Sequence, residues 1–161
     1  MTTTQLEESA RTFADDPSAG RSTPTVTAEL ANGHARLSAG PFNWDADLPP
    51  AVGGGNVAPS PTAYLLGALA ACGVVFLQDT LAPEFGVEID SLRVTAACGA
   101  DLGGLLGVEG RDPALTDLRL EIQLESSSDA DRIDAMHAAW RERCPIYLAL
   151  LNPNEVTLTI A

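Results

Sequence analysis

The sequence predicts an α+β domain in which an antiparallel sheet encloses a buried central helix and a second, amphipathic helix. Several short segments alternate apolar and polar residues as strands do, and two longer segments have the composition and spacing of helices. The chain has 161 residues, enough for one domain with its own core, which we place at residues 21–161. The polar residues 1–20 are expected to form a flexible leader.

The composition excludes several classes of function. The formal net charge is −13, from 22 acidic and nine basic residues, so the basic surface that a nucleic-acid partner requires is absent from the sequence. Every basic residue is an arginine, which rules out chemistry at a lysine amine. The three cysteines form no CxxC pair and the two histidines are isolated, so we expect no metal and no cofactor.

The strands are predicted from alternation. A hairpin is expected where "TPTVTAEL" and "HARLSA" flank the turn "ANG". Residues 41–61 hold five prolines and three consecutive glycines, which predicts a loop. Three further alternating segments, at residues 87–98, 115–125 and 155–160, predict strands of the same sheet.

The central helix is predicted to begin at Pro61, with Ser60 as its N-cap. It is apolar around nearly its whole circumference, so we expect it to lie inside the fold. The uninterrupted apolar run, residues 63–77, has 15 residues, whereas about 18–20 are needed to cross a bilayer. We therefore predict no membrane partner. The absence of a signal-like opening and the unpaired cysteines favour a cytoplasmic location.

The second helix is predicted over residues 128–144, with Ser128 as its N-cap. Its buried face recurs at spacings of three and four residues and comprises Ile133, Met136, His137, Trp140 and Cys144. We expect Met136 and Trp140 to be core residues.

Two cysteines therefore approach the same sheet from different helices, Cys72 from the central helix and Cys144 from the amphipathic one. A free cysteine is often simply a small buried hydrophobic residue. Two that converge from separate helices could instead act together as redox-active thiols. The pattern alone leaves both interpretations open, whereas Cys98, at a strand end, is expected only to pack.

Two motifs resemble the OsmC/Ohr family of thiol-dependent hydroperoxide-handling proteins. The first is "GGGNVAPSPTAYLLGALAAC", and the second, some seventy residues later, is "RCPIYLALLNPNEV". The resemblance covers about residues 53–160. It implies an OsmC-like fold in an intertwined homodimer, with the central helices enclosed by sheets from both chains and the active sites at the subunit interface.

The resemblance also implies a chemistry. Cys72 matches the cysteine that attacks the peroxide, and Cys144 matches the cysteine that resolves the resulting sulfenic acid to a disulfide. An external dithiol would reduce that disulfide. The apolar surroundings favour organic hydroperoxides as substrates, and the implied role is a peroxidase of the oxidative-stress response.

One departure from the family pattern bears on activity. Family members carry a glutamate one or two residues after the proline that opens the central helix, where it holds an arginine near the reactive thiolate. Here those positions are Thr62 and Ala63. The arginine comes from the N-terminal hairpin in the family, and Arg36 is the nearest candidate, with Arg21 second. His34 could also influence the thiol, although an exposed turn histidine is expected.

Without that glutamate, a buried thiol has a raised pKa and reacts slowly. Two alternatives to a peroxidase therefore stay open. The chain could be an OsmC-fold protein that binds an apolar small molecule or senses redox state without significant peroxidase activity. It could also be a structural dimer whose thiols merely pack.

Overall fold

A computed structural model describes residues 3–152 and 155–160, which fall into two compact units. The cysteine-pair unit comprises the described residues of 1–8, 68–95 and 120–161, and the hairpin unit comprises residues 9–67 and 96–119. Both Cys72 and Cys144 belong to the cysteine-pair unit. The single domain over residues 21–161 stays a prediction, and its last residue, Ala161, lies outside the described residues.

The N-terminal segment contains structure that its composition did not predict. Helix α1 spans Thr3–Asp15, so residues 1–20 are not a leader without secondary structure. The helix is exposed along most of its length. Its predicted flexibility stays a prediction, and Met1 and Thr2 lie outside the described residues.

The hairpin unit holds a three-stranded antiparallel sheet. Strands β1 (Thr27–Ala31), β2 (His34–Ala39) and β3 (Phe42–Ala46) follow one another in sheet order. The predicted hairpin is confirmed, and its turn uses positive φ at Asn32 and Gly33, the two-residue geometry that suits the twist of paired strands. Strand β3 corrects the predicted loop at 41–61. Gly40, at φ 55°, reverses the chain there, so the residues before the proline-rich stretch pair with β2.

The rest of that loop is held by one buried carboxylate, Asp47. Its Oδ1 accepts a hydrogen bond from the Leu48 N–H at 2.8 Å, and its Oδ2 accepts from the N–H groups of Gly55 and Val57, each at 3.0 Å. These hydrogen bonds lower the pKa of Asp47, and the bond from Val57 has the largest effect. The side chain thus fixes the loop that leads into the central helix.

The central helix begins where the sequence predicts. Helix α2 spans Pro61–Phe76, and Ser60 Oγ accepts a hydrogen bond from the Ala63 N–H at 3.2 Å. The helical run extends beyond the apolar stretch of residues 63–77, because the chain continues through a π-helical turn, Leu77–Leu81, into helix α3, Ala82–Phe85. Pro83 is tolerated since it lies in the first turn of α3, where its missing N–H costs little. Gly86, at φ 62°, ends the run.

This run of Pro61–Phe85 has 25 residues and is long and apolar enough, by length and composition alone, to cross a membrane. Its second half nevertheless forms a protein core, because Leu77 and Leu81 are fully buried. In α2 itself only Leu69 and Gly73 are buried. The predicted enclosure of α2 is therefore not achieved within one copy of the chain.

The core of the cysteine-pair unit lies between this helical run and helix α5, Ala130–Arg143. Leu77, Leu81, Met136 and Cys144 are each 0% exposed, and Trp140 is 3% exposed, which confirms the predicted core roles of Met136 and Trp140. Ser128 does not cap α5. Its Oγ instead accepts a hydrogen bond from the Glu88 N–H at 2.8 Å, and Asp129 precedes the helix.

Two longer strands form the second sheet, β4 (Ser91–Gly99) and β5 (Thr116–Glu125). The Asp90 N–H donates to the Glu125 carbonyl, so the start of β4 meets the end of β5, as in an antiparallel pair. Between them a short helix, α4, spans Leu102–Leu105.

Helix α6 spans Pro145–Leu151, and residues 155–160 are the last ones that the structure describes. The strand predicted at 155–160 is not formed, and Val156, Leu158 and Ile160 are 81–87% exposed. Pro153 and Asn154, part of the second quoted motif, lie outside the described residues.

Gly73 offers a test of the packing beside Cys72. A Cβ added at Gly73 would lie 2.9 Å from a Val94 methyl carbon, whereas a Cβ at Gly67 of the same helix meets nothing within 4 Å. We expect Gly73→Ala to lower the free energy of unfolding by about 1–3 kcal/mol through overpacking, as measured by urea denaturation.

Gly67→Ala is the comparison substitution and should lower the free energy of unfolding less than Gly73→Ala does, because a Cβ at Gly67 meets nothing within 4 Å in one copy of the chain. Adding Val94→Ala to Gly73→Ala should recover part of the loss. Equal effects of the two glycine substitutions would contradict the close packing.

Candidate functional site

The two predicted cysteines meet. The Sγ atoms of Cys72 and Cys144 lie 3.0 Å apart, and both thiols are free. A disulfide bond is about 2.05 Å long, so closing one here requires the sulfurs to approach by about 1 Å.

The sequence places Cys144 at a break between two helices. Its N–H donates to the Trp140 carbonyl at 2.9 Å and closes α5, while its carbonyl accepts from the Leu148 N–H at 3.0 Å and opens α6. Pro145 explains the break, because a residue before proline avoids the helical conformation, and Cys144 has φ −71° and ψ 112°. One residue therefore ends one helix and starts the next, with its thiol turned into the core.

Burial distinguishes the two thiols. Cys144 is fully buried, whereas Cys72 is partly exposed. Cys72 is therefore the more accessible of the two thiols.

The surroundings of Cys72 disfavour its thiolate. Burial raises the pKa of Cys72 to about 11, and the hydrogen bond and charge interaction with Cys144 act in the same direction. The N–H of Ile146, in the first turn of α6, acts against them and lowers this pKa. Among the described residues, no arginine contributes to the shift. Cys72 is therefore a neutral thiol at pH 7.

Arg36, the predicted activating residue, has a partner in its own unit. Its Nε lies 3.0 Å from Asp45 Oδ1 and its Nη2 lies 3.4 Å from Oδ2, across the pairing of β2 with β3. This bidentate pair raises the pKa of Arg36 and lowers that of Asp45. A role of Arg36 at Cys72 stays a prediction.

His34 is not the exposed turn residue that was expected. Its side chain is 15% exposed, and its Nε2 lies 3.6 Å from Asp45 Oδ1. Beside it the hairpin unit contains a cavity of about 360 Å³. The cavity has a mostly apolar lining, with Leu30, Ala35, Ala46 and Val52 around His34 and Asp47.

Positions 62 and 63 carry no carboxylate. An ion pair that the sequence did not predict joins Arg143 to Glu84. Arg143 Nη1 lies 2.8 and 2.9 Å from the two carboxylate oxygens of Glu84. The same guanidinium lies over the Phe76 ring, 5.7 Å from its centre. The sequence shows that Arg143 lies immediately before Cys144. It gives no signal that Glu84, which is far away along the chain, is the partner of Arg143.

The third cysteine, Cys98, is free and partly buried in the hairpin unit. Among residues 3–152 and 155–160, no group of three His, Cys, Asp or Glu side chains is placed to hold a metal ion.

Comparison with solved structures shows which fold this is. The chain is similar to an OsmC-like protein from Mycoplasma pneumoniae, with 20% identity and a TM-score of 0.66 over 81% of this chain and 88% of that one. It is also similar to the organic hydroperoxide resistance protein OhrB of Bacillus subtilis, with 20% identity and a TM-score of 0.51 over 80% and 90% of the two chains. These likenesses confirm the predicted α+β fold with antiparallel sheets.

A third similar structure is a putative osmotic stress induced and detoxification response protein from Psychrobacter arcticus 273-4. It has 17% identity and a TM-score of 0.59, over 81% of this chain and 88% of that one. No curated protein matches the chain. A family model described as OsmC-like protein matches residues 53–159, which include Cys72 and Cys144. The chain therefore belongs to the OsmC-like protein family.

Proposed function

We propose that the protein is a thiol-dependent peroxidase that reduces organic hydroperoxides through Cys72 and Cys144. The observation that carries the proposal is the 3.0 Å separation of the two free sulfurs, one reachable from solvent and one fully buried. Structural relatives named as organic hydroperoxide resistance proteins, from Bacillus subtilis and Legionella pneumophila, support it.

In the proposed reaction the Cys72 thiolate attacks the peroxide, and the O–O bond breaks. Cys72 becomes a sulfenic acid, and the leaving alkoxide takes a proton to become an alcohol. The Cys144 thiol then attacks the sulfenic sulfur, water leaves, and a disulfide forms. An external dithiol returns two electrons and two protons to restore both thiols. No resident metal or cofactor takes part.

The activation of Cys72 is weak in this scheme. Burial raises its pKa, and the acidic residue that the family pattern places at position 62 or 63 is replaced by Thr62 and Ala63. Arg36 is the candidate cation, and Asp45 already neutralises it. We infer slow turnover at neutral pH, in a protein expected to be cytoplasmic.

We further propose that the protein acts as a homodimer. Ala68, Ala71 and Val75 share one face of α2 and are all exposed in a single copy. Small side chains on such a face let two helices approach closely. A second copy that packed there would provide the enclosure that the apolar sequence of α2 requires.

A specific observation favours a second candidate function, the binding of an apolar small molecule. The cavity in the hairpin unit, about 360 Å³ with a mostly apolar lining, falls in the size range of ligand pockets. In this alternative the thiols sense redox state or pack, and peroxide turnover is insignificant.

The peroxidase proposal predicts that one equivalent of cumene hydroperoxide oxidises the reduced protein to a Cys72–Cys144 disulfide. Peptide mapping by mass spectrometry without reductant measures it. Cys72→Ser should abolish the disulfide, whereas Cys98→Ser is the control and should leave it unchanged. Thiols that remain unoxidised after prolonged exposure to cumene hydroperoxide would refute the peroxidase proposal and favour the binding alternative.

The raised pKa of Cys72 predicts a steep pH dependence. Below a pKa of about 11 the thiolate fraction rises tenfold per pH unit, so alkylation of Cys72 by iodoacetamide should accelerate about tenfold per unit from pH 7 to pH 10. The Cys98→Ser variant isolates the signal. An alkylation rate that is already constant by pH 8 would contradict the raised pKa of Cys72. If Arg36→Ala then lowered that rate, Arg36 would be the residue that activates the thiol.

The dimer proposal predicts a particle of twice the 16.8 kDa chain mass in analytical ultracentrifugation. Ala71→Arg should shift it to a monomer, because a charge would be buried between the helices. Ala135→Arg, on an exposed position of α5, is the matched control and should stay dimeric. A monomeric native protein would refute this arrangement.

A further inference from the structure

We propose that Arg143 and Glu84 form a positioning clamp that holds Cys144 against Cys72 and thereby favours closure of their disulfide. The inference rests on the proposed pairing of these two cysteines. It assigns a role to an ion pair whose residues are not the reactive cysteines of the two family motifs.

The clamp joins the two segments that carry the thiols. Arg143 is the last residue of α5 and directly precedes Cys144. Its Nη1 contacts both oxygens of Glu84, at 2.8 and 2.9 Å, and its guanidinium lies 5.7 Å from the centre of the Phe76 ring. Glu84 and Phe76 belong to the helical run that begins with α2 and contains Cys72.

The contact with Phe76 places the clamp close to the reactive thiol. Phe76 follows Cys72 by four residues in α2, so the two side chains lie on the same face of that helix, one turn apart. A single arginine side chain therefore spans from the residue before Cys144 to the turn after Cys72.

The junction at Cys144 needs such support. Its backbone is extended between two helices, and Pro145, the next residue, has no N–H to donate. The sulfurs must approach by about 1 Å to bond. A displacement of about 1 Å between reacting groups changes how readily they bond by a large factor. Contacts that fix the junction therefore control how readily the disulfide closes.

The clamp is separable from the stability of the fold. Both of its side chains are 43% exposed, and ion pairs with this exposure contribute little to the free energy of unfolding. Removing the charge should thus change the cysteine geometry more than it changes folding.

Arg132 provides a matched control on the same helix. Its Nη1 donates to the Gly86 carbonyl at 3.3 Å, and its Nε lies 3.7 Å from Asp129. It also contacts the end of the helical run, but it lies three turns away from Cys144. Its removal tests for a general effect of losing an α5 arginine.

The experiment equilibrates the protein, in a Cys98→Ser background, with mixtures of reduced and oxidised glutathione. Oxidised glutathione accepts two electrons and two protons as the Cys72–Cys144 disulfide forms and leaves as two molecules of reduced glutathione, so the disulfide fraction gives an equilibrium constant. Alkylation followed by mass spectrometry measures that fraction. Urea denaturation of the same reduced variants measures folding separately.

We expect Arg143→Gln to lower this equilibrium constant about tenfold, with Glu84→Gln acting in the same direction. Arg143→Lys should fall between wild type and Arg143→Gln, because it keeps the charge but loses the planar guanidinium that lies over the Phe76 ring. Arg132→Gln should leave the constant unchanged. Glu84→Gln and Arg143→Lys keep the test decisive if Arg143→Gln does not fold.

An Arg143→Gln constant within twofold of wild type would overturn the clamp, and so would an equal fall in Arg132→Gln. A wild-type protein that forms no disulfide even in oxidised glutathione alone would overturn the clamp together with the pairing on which it rests. A wild-type protein that forms the disulfide in oxidised glutathione but does not react with cumene hydroperoxide refutes only the peroxidase, and the fall in Arg143→Gln would then still support the clamp.

Discussion

The arrangement of the cysteine-pair unit depends on the conformational restriction that Pro145 imposes on Cys144. Without that proline, α5 could continue through residue 144, and the thiol would be one more apolar group on a helix face. With it, the helix ends, the chain turns, and α6 begins from the same residue. The 3.0 Å contact with Cys72 and the N–H of Ile146 near that sulfur both follow from this break.

Much of the two helices that lead to the cysteines could be predicted because their signals are local. Ser60 and Pro61 mark the start of α2, and the spacing of Met136 and Trp140 predicts the buried face of α5. The separation of Cys72 from Cys144 could not be calculated from periodicity. The expectation that the two thiols pair came from the family motifs, and the structure places their sulfurs 3.0 Å apart.

The errors arose where tertiary contacts overrode local composition. Residues 42–46 pair with β2 although proline and glycine dominate the stretch that follows them. Tertiary contacts also carry the helical run beyond the apolar stretch of residues 63–77, because Leu77 and Leu81 fill the core and the proline falls in a first turn that tolerates it. Glu84 and Arg143 could not be paired in advance, since neither their spacing nor their surroundings carries a signal in the sequence.

In the proposed peroxidase, the unequal burial of the two cysteines would also determine how the disulfide is broken. Because Cys144 is fully buried, a dithiol reductant would attack the sulfur of Cys72 and release Cys144 as the leaving thiolate. The mixed disulfide would then form on Cys72, the same atom that the proposed reaction oxidises. Under this proposal oxidant and reductant would share one approach to the protein, so substrate and reductant would take turns in a ping-pong cycle.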